Sequence, residues 1–101
     1  MTRLSKLSRS IVGKVAIVTG SASGMGRATA HLFADEGAHV AVTDINSEGV
    51  KAVVAEITEA GLSAEGWTLD LANPERIKVV IDEVVKLYGG LDILVINAGI
   101  S

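Results

Sequence analysis

Residues Thr19-Gly20-Ser21-Ala22-Ser23-Gly24-Met25-Gly26 constrain this chain more than any other stretch. An apolar run, Val15-Ala16-Ile17-Val18, precedes them and reads as a buried parallel strand. The segment from Arg27 to Ala34 follows them and reads as a helix. A glycine-rich turn between a strand and a helix lets backbone approach a pyrophosphate closely. The helix start adds unpaired N–H groups and a partial positive charge. The pattern therefore predicts a dinucleotide site built from Gly20, Ser21, Ser23, Gly24, Met25 and Gly26.

The rest of the sequence repeats the strand-then-helix rhythm. Strands are expected over 15–19, 39–43, 63–69 and 91–96, and helices over 24–36, 47–60 and 74–88. Val50, Val53, Val54 and Ile57 share one helical face. Ile77, Val80, Ile81, Val84 and Leu87 share another. Asn73-Pro74 is a helix-start signal, while Gly37, Gly61 and Gly89-Gly90 are stops. This order implies an α/β fold, a Rossmann-type doubly wound parallel sheet with helices on both faces. Right-handed crossovers give strand order 3-2-1-4 with three helices, an incomplete half of such a sheet.

Composition removes competing classes. The hydrophobic fraction is 49% with only 3% aromatic residues, which suits a Val/Ile/Leu/Ala core better than a base-stacking surface. Net charge is −3, with Arg3, Lys6, Arg9 and Lys14 making the first 14 residues +4 and leaving −7 on the remainder. An acidic body argues against nucleic acid as a partner. Without cysteine there is neither a disulfide framework nor a cysteine-based metal site. No apolar run approaches the roughly 18 residues of a membrane span. Residues 1–10 are basic, contain serine and lack an apolar stretch. They read as a mobile N-terminal extension rather than a secretory signal, with a transit peptide as the compositional alternative. Cytoplasm is the default expectation, and 11–101 the expected cofactor-binding unit.

Further residues extend the site. Asp44, at the end of strand two, lies 18 residues after Gly26, where a carboxylate can accept hydrogen bonds from ribose hydroxyls. A helix-two cap is its structural alternative. Asp70-Leu71 follows strand three, where an Asp is ordinarily a turn residue. Asn97-Ala98-Gly99 closes strand four beside strand one, at the switch point of the sheet. Arg27 suits either a cofactor phosphate or a solvated helix face. His31 and His39 read as packing or surface residues, and Trp67 as core or rim.

With its preceding threonine, the Gly-x-x-x-Gly-x-Gly spacing resembles the short-chain dehydrogenase/reductase family. Extended epimerase and dehydratase relatives use Gly-x-x-Gly-x-x-Gly instead. Flavin-binding Rossmann domains share the acidic ribose contact but not this spacing. The resemblance covers about Ile11 to Ser101 and implies hydride transfer between nicotinamide and an alcohol or carbonyl substrate. It implies that Asp70 and Leu71 contact adenine, and that Asn97, Ala98 and Gly99 support the sheet and let backbone approach the cofactor. Ile96 stands where the family carries a first Asn in Asn-Asn-Ala-Gly.

The family's catalytic Ser and Tyr-x-x-x-Lys have no counterpart here. Tyr88 is the only Tyr, Asp92 stands four residues later, and Ser101 is not at the Ser position. The chain is thus expected to be the N-terminal, cofactor-binding half of a longer, homo-oligomeric parent. The alternatives are a stand-alone NAD-binding module without turnover and a non-functional truncated product.

At Asp44 a 2′-phosphate meets like charge. Unit charges about 4 Å apart in a partly screened site repel by about 4 kcal/mol. Neither Ser23 nor Ile45 is a compensating base. NAD(H) is therefore expected to bind this chain, or an intact parent, at least several-fold more tightly than NADP(H). Tighter binding of NADP(H) in parallel calorimetric titrations would overturn the assignment.

Overall fold

The computed structural model describes residues 11–97. The expected extension at 1–10, together with Ala98 and Gly99, lies outside the described residues. The elements alternate as β1 (Val15–Val18), α1 (Gly24–Asp35), β2 (His39–Asp44), α2 (Ser47–Glu59), β3 (Ala64–Thr68), α3 (Pro74–Tyr88) and β4 (Ile93–Val95). All strand pairings are parallel and the sheet order is β3-β2-β1-β4. The expected doubly wound arrangement is the one observed.

Strand alternation divides the core into two layers. Val18, Val40 and Val42 point to the face covered by α1 and α2, where they meet Ala30, Ala34, Val50, Val53 and Ile57. Val15, Ile17 and Ala41 point the other way, toward Val80 and Val84 of α3 and the partly buried Trp67, Ile77 and Tyr88. With both faces of β1 covered, its four residues are all buried. Gly66 lets α2 close on β3, because a Cβ there would stand 2.6 Å from the Val50 Cγ1.

Element ends depart from expectation by a residue or two. β1 stops at Val18, and Thr19 already belongs to the turn. Among the described residues β4 is the shortest strand, three residues against an expected six, and pairs only with β1. Its start is fixed by Asp92, whose backbone N–H donates to the Val15 carbonyl while its Oδ2 accepts from the Val15 N–H.

One core position differs from the helical periodicity. Leu87 was expected on the buried face of α3 but is 53% exposed, and Tyr88 takes that place. At 100° per residue, position 88 falls back over Ile77, Ile81 and Val84, whereas 87 rotates toward the edge. Tyr88 also gains a partner, stacking on His39 with ring centroids 5.0 Å apart. Burial pushes the Tyr88 phenol above its ordinary range. His39 itself bonds the Ser63 hydroxyl through Nδ1, so its expected packing role holds.

These placements separate two α-helical aliphatic residues. Ile57→Ala, at a fully buried site, is expected to cost about 2–5 kcal/mol. Leu87→Ala is expected to stay within about 0.5 kcal/mol, as for an ordinary surface change. Urea unfolding of both variants checks the pair, and equal losses would refute the reassignment of the α3 face.

Candidate functional site: the glycine-rich crevice

The turn between β1 and α1 is held where two of its glycines are indispensable. Gly20 has φ +61°, and a Cβ on it would stand 2.8 Å from the Asn97 carbonyl oxygen. Gly26 lies in the first turn of α1, where a Cβ would fall on the Gly20 carbonyl group and 2.8 Å from Asn97 Nδ2. The start of α1 therefore packs backbone against backbone on the turn that leads into it.

Hydrogen bonds fix the turn from both neighbouring strands. On the β4 side, the Asn97 N–H donates to Thr19 Oγ1 at 2.9 Å and Asn97 Nδ2 donates to the Gly20 carbonyl at 3.2 Å. On the β2 side, Ser21 is fully buried beneath the turn. Its Oγ lies 3.0 Å from the Val18 carbonyl and 3.1 Å from the Thr43 carbonyl, and accepts from the Thr43 N–H. The Ser21 N–H donates to the Thr43 carbonyl. Ser21 thus meets the sheet with both its side chain and its N–H, and its part is to hold the turn. Next to it, the Ala22 N–H donates to Asp44 Oδ2 at 3.0 Å.

The helix that opens from this turn differs from the other two. Asn46 caps α2 by accepting from the Gly49 N–H, and Asn73 caps α3 by accepting from the Arg76 N–H. Each of those helices also carries an acid in its first turn, Glu48 and Glu75. Ser23 stands at the N-cap of α1 but its side chain makes no capping bond, and the first turn of α1 holds no acid. The leading N–H groups of α1 have no intrahelical acceptor and no side chain in their place. Gly24 (φ +58°) and Met25 are exposed there. Charge and geometry both leave this helix start available to an anion.

The capping alternative for Asp44 is replaced by a different arrangement. Asn46 is the cap, and Asp44 accepts from the Asn46 N–H through Oδ1 while holding Ala22 through Oδ2. Ile45 beside it is exposed. β3 ends alongside, the Leu69 N–H donating to the Asp44 carbonyl. Asp70 turns the chain: its Oδ1 accepts from the Ala72 N–H and its carbonyl from the Asn73 N–H, with Leu71 exposed at the same edge. The turn therefore explains Asp70 locally and leaves its second carboxylate oxygen without a hydrogen bond among the described residues.

Arg27 takes the helix-face role. Its guanidinium pairs with both carboxylate oxygens of Glu56 of α2, and Oε1 also meets His31 Nε2 at 2.7 Å. Hydrogen bonds from His31 and Arg27 hold the Glu56 carboxyl below the usual range. Any stability this cluster adds is present above the unfolded glutamate pKa and is lost as pH falls through the lowered one. Trp67 lies at the rim of the other layer, donating Nε1–H to Glu83.

Gly49 was not foreseen as part of the site. A Cβ on it would stand 2.6 Å from the Ala22 Cβ, so the first turn of α2 also supports the glycine-rich turn. Its signal was present, since a glycine inside a helical pattern usually has a packing reason.

The family model for short chain dehydrogenases matches residues 14–101. This chain belongs to the short-chain dehydrogenase family. It is 43% identical over 89 residues to the 3-oxoacyl-(acyl-carrier-protein) reductase of Thermotoga maritima, covering 88% of this chain and 36% of that protein. It is 42% identical over 99 residues to the secoisolariciresinol dehydrogenase of Forsythia intermedia, covering 97% of this chain and 35% of that one. The crystal structure of a hydroxysteroid dehydrogenase from Escherichia coli superposes with TM-score 0.86 at 38% identity, over 88% of this chain and 38% of that chain. This short-chain dehydrogenase sequence thus spans little more than a third of the length of these relatives. Among its described residues, no helix is long and apolar enough to cross a membrane.

Replacing Gly26 by Ala is expected to force α1 off the turn. The overpacking cost is about 1–3 kcal/mol or more, although Ala is the better helix former. Thermal unfolding checks the sign, and a variant as stable as the parent would contradict the backbone contact with Gly20.

Proposed function

We propose that this chain supplies the NAD-binding part of an oxidoreductase that moves hydride between nicotinamide and an alcohol or carbonyl group. The observation that carries the reading is the uncapped, acid-free start of α1 beside a turn whose glycines leave no room for Cβ atoms. The residues present fit a dinucleotide. The leading N–H groups of α1 and the backbone of Gly20, Ser23, Gly24, Met25 and Gly26 face a pyrophosphate, while Ser21, buried with its N–H on the Thr43 carbonyl, holds the turn from beneath. Asp44 offers acceptor lone pairs to the adenosine ribose beyond those its two oxygens already use. Ile45 and Leu71 wall the adenine, with Asp70 at its amino group.

The nicotinamide supplies a hydride donor or acceptor when bound. The chain's own contribution is binding and orientation. Asn97 holds the turn on the nicotinamide side, with Ala98 and Gly99 as the close backbone approach. Asp44 selects NAD over NADP through like-charge repulsion of a 2′-phosphate. Transfer to a carbonyl also needs a proton donor. On this reading that acid, the substrate pocket and the contacts of a homo-oligomer belong to chain beyond these 101 residues. Relatives named as dehydrogenases and reductases support the redox class.

Isothermal titration of the full chain with NADH, NADPH and ADP-ribose tests the proposal. The expected result is saturable, one-site binding of NADH and ADP-ribose, because the adenosine diphosphate half makes the contacts described here. Heat no greater than buffer dilution for all three ligands would overturn it.

A further inference from the structure

We propose that Asp44 is a positioning residue for the glycine-rich turn, independently of its charge toward a cofactor; the proposal rests on the dinucleotide reading given above. Two separate observations place the turn on the end of β2 and the start of α2. The Ala22 N–H is held by Asp44 Oδ2 at 3.0 Å while Oδ1 holds the Asn46 N–H at 3.0 Å. Ala22 Cβ also sits where a Gly49 Cβ would come within 2.6 Å, so the turn rests against bare backbone of α2. One carboxylate thus bridges two turns, and a glycine leaves the seat for the bridged residue.

The consequence concerns how cofactor choice can be altered. If Asp44 acted only by repelling a 2′-phosphate, neutralising it would admit NADPH. Here neutralising it also removes an acceptor that two backbone N–H groups share. An Asn offers one acceptor oxygen, and its NH2 group would face a backbone donor. The turn then loses its tie to β2 at Ala22, and the pyrophosphate seat is weakened for either cofactor, alongside any relief of charge at the ribose. Gly49→Ala isolates the same seat without touching any charge. Intrinsic helix propensity favours Ala, so a loss in that variant reflects displacement of Ala22 and not a weaker helix.

The experiment compares the full chain with Asp44→Asn and Gly49→Ala, by hydrogen exchange of residues 19–26 without cofactor and by titration with NADH and NADPH. Hydrogen bonds to charged groups are strong enough that exchange in this segment is expected to rise about tenfold or more in Asp44→Asn, while β1 and β2 stay protected. NADH affinity is expected to fall in both variants and NADPH affinity to fall in Gly49→Ala. In Gly49→Ala the two cofactors should lose the same factor. Parental exchange of residues 19–26 in Asp44→Asn, or parental affinities in Gly49→Ala, would overturn the proposal. Should the parent bind neither cofactor, the dinucleotide reading falls and exchange alone decides the positioning role: acceleration upholds it and parental exchange overturns it.

Discussion

Everything in the crevice depends on the contact between the backbone of Gly26 and the carbonyl group of Gly20. A helix can begin this close to the turn that feeds it only if Gly26 carries no side chain in the gap, while Gly20 must lack one on the side facing Asn97. The contact seats the start of α1 against the turn that leaves the carboxyl end of β1. The leading N–H groups of that first turn carry no side-chain cap from Ser23. A Cβ on Gly26 would also crowd Asn97 Nδ2, which donates to the Gly20 carbonyl at the same gap.

Around that contact the polar groups are arranged with economy. Thr19, Ser21 and Thr43 are the buried polar side chains of the described residues, and all three gather at this one turn. Thr43 Oγ1 donates to the Val18 carbonyl that Ser21 Oγ also reaches. No buried side-chain polar atom among the described residues lacks a partner. Buried hydroxyls satisfied in this way fix geometry, because any shift of the turn leaves an acceptor or donor unpaired in a water-poor environment. The apolar layers on either side need no such specificity, and Val, Ile and Ala fill them.

Much of this was legible in the chain. The run of four apolar residues before a glycine turn gave β1, and its burial on both faces followed from parallel pairing. The Asn73-Pro74 signal marked the start of α3 because capping and the proline restriction act locally. The position of Asp44 at the end of β2 could be counted from the turn. What could not be read depended on register between distant strands. That Ser21 bonds Thr43, and that Ala22 meets both Asp44 and Gly49, requires knowing how β1 sits beside β2. Leu87 was mistaken for a core residue because periodicity alone does not say where a helical face ends. The stacking of Tyr88 on His39 settled that choice through a tertiary contact.

The pairing of β4 with β1 has a kinetic side. The bonds between Asp92 and Val15, and between Asn97 and Gly20, join residues 77 apart in sequence. The turn's attachments to β2 span only 22. Closing the longer loop costs more chain entropy, and distant parallel pairing is slow to form. During folding, the β1-α1-β2 unit can therefore set its glycine turn against Thr43 and Asp44 before Asn97 arrives to lock the other side. A nascent chain would acquire one wall of the crevice early and the other only once β4 has been made and docked.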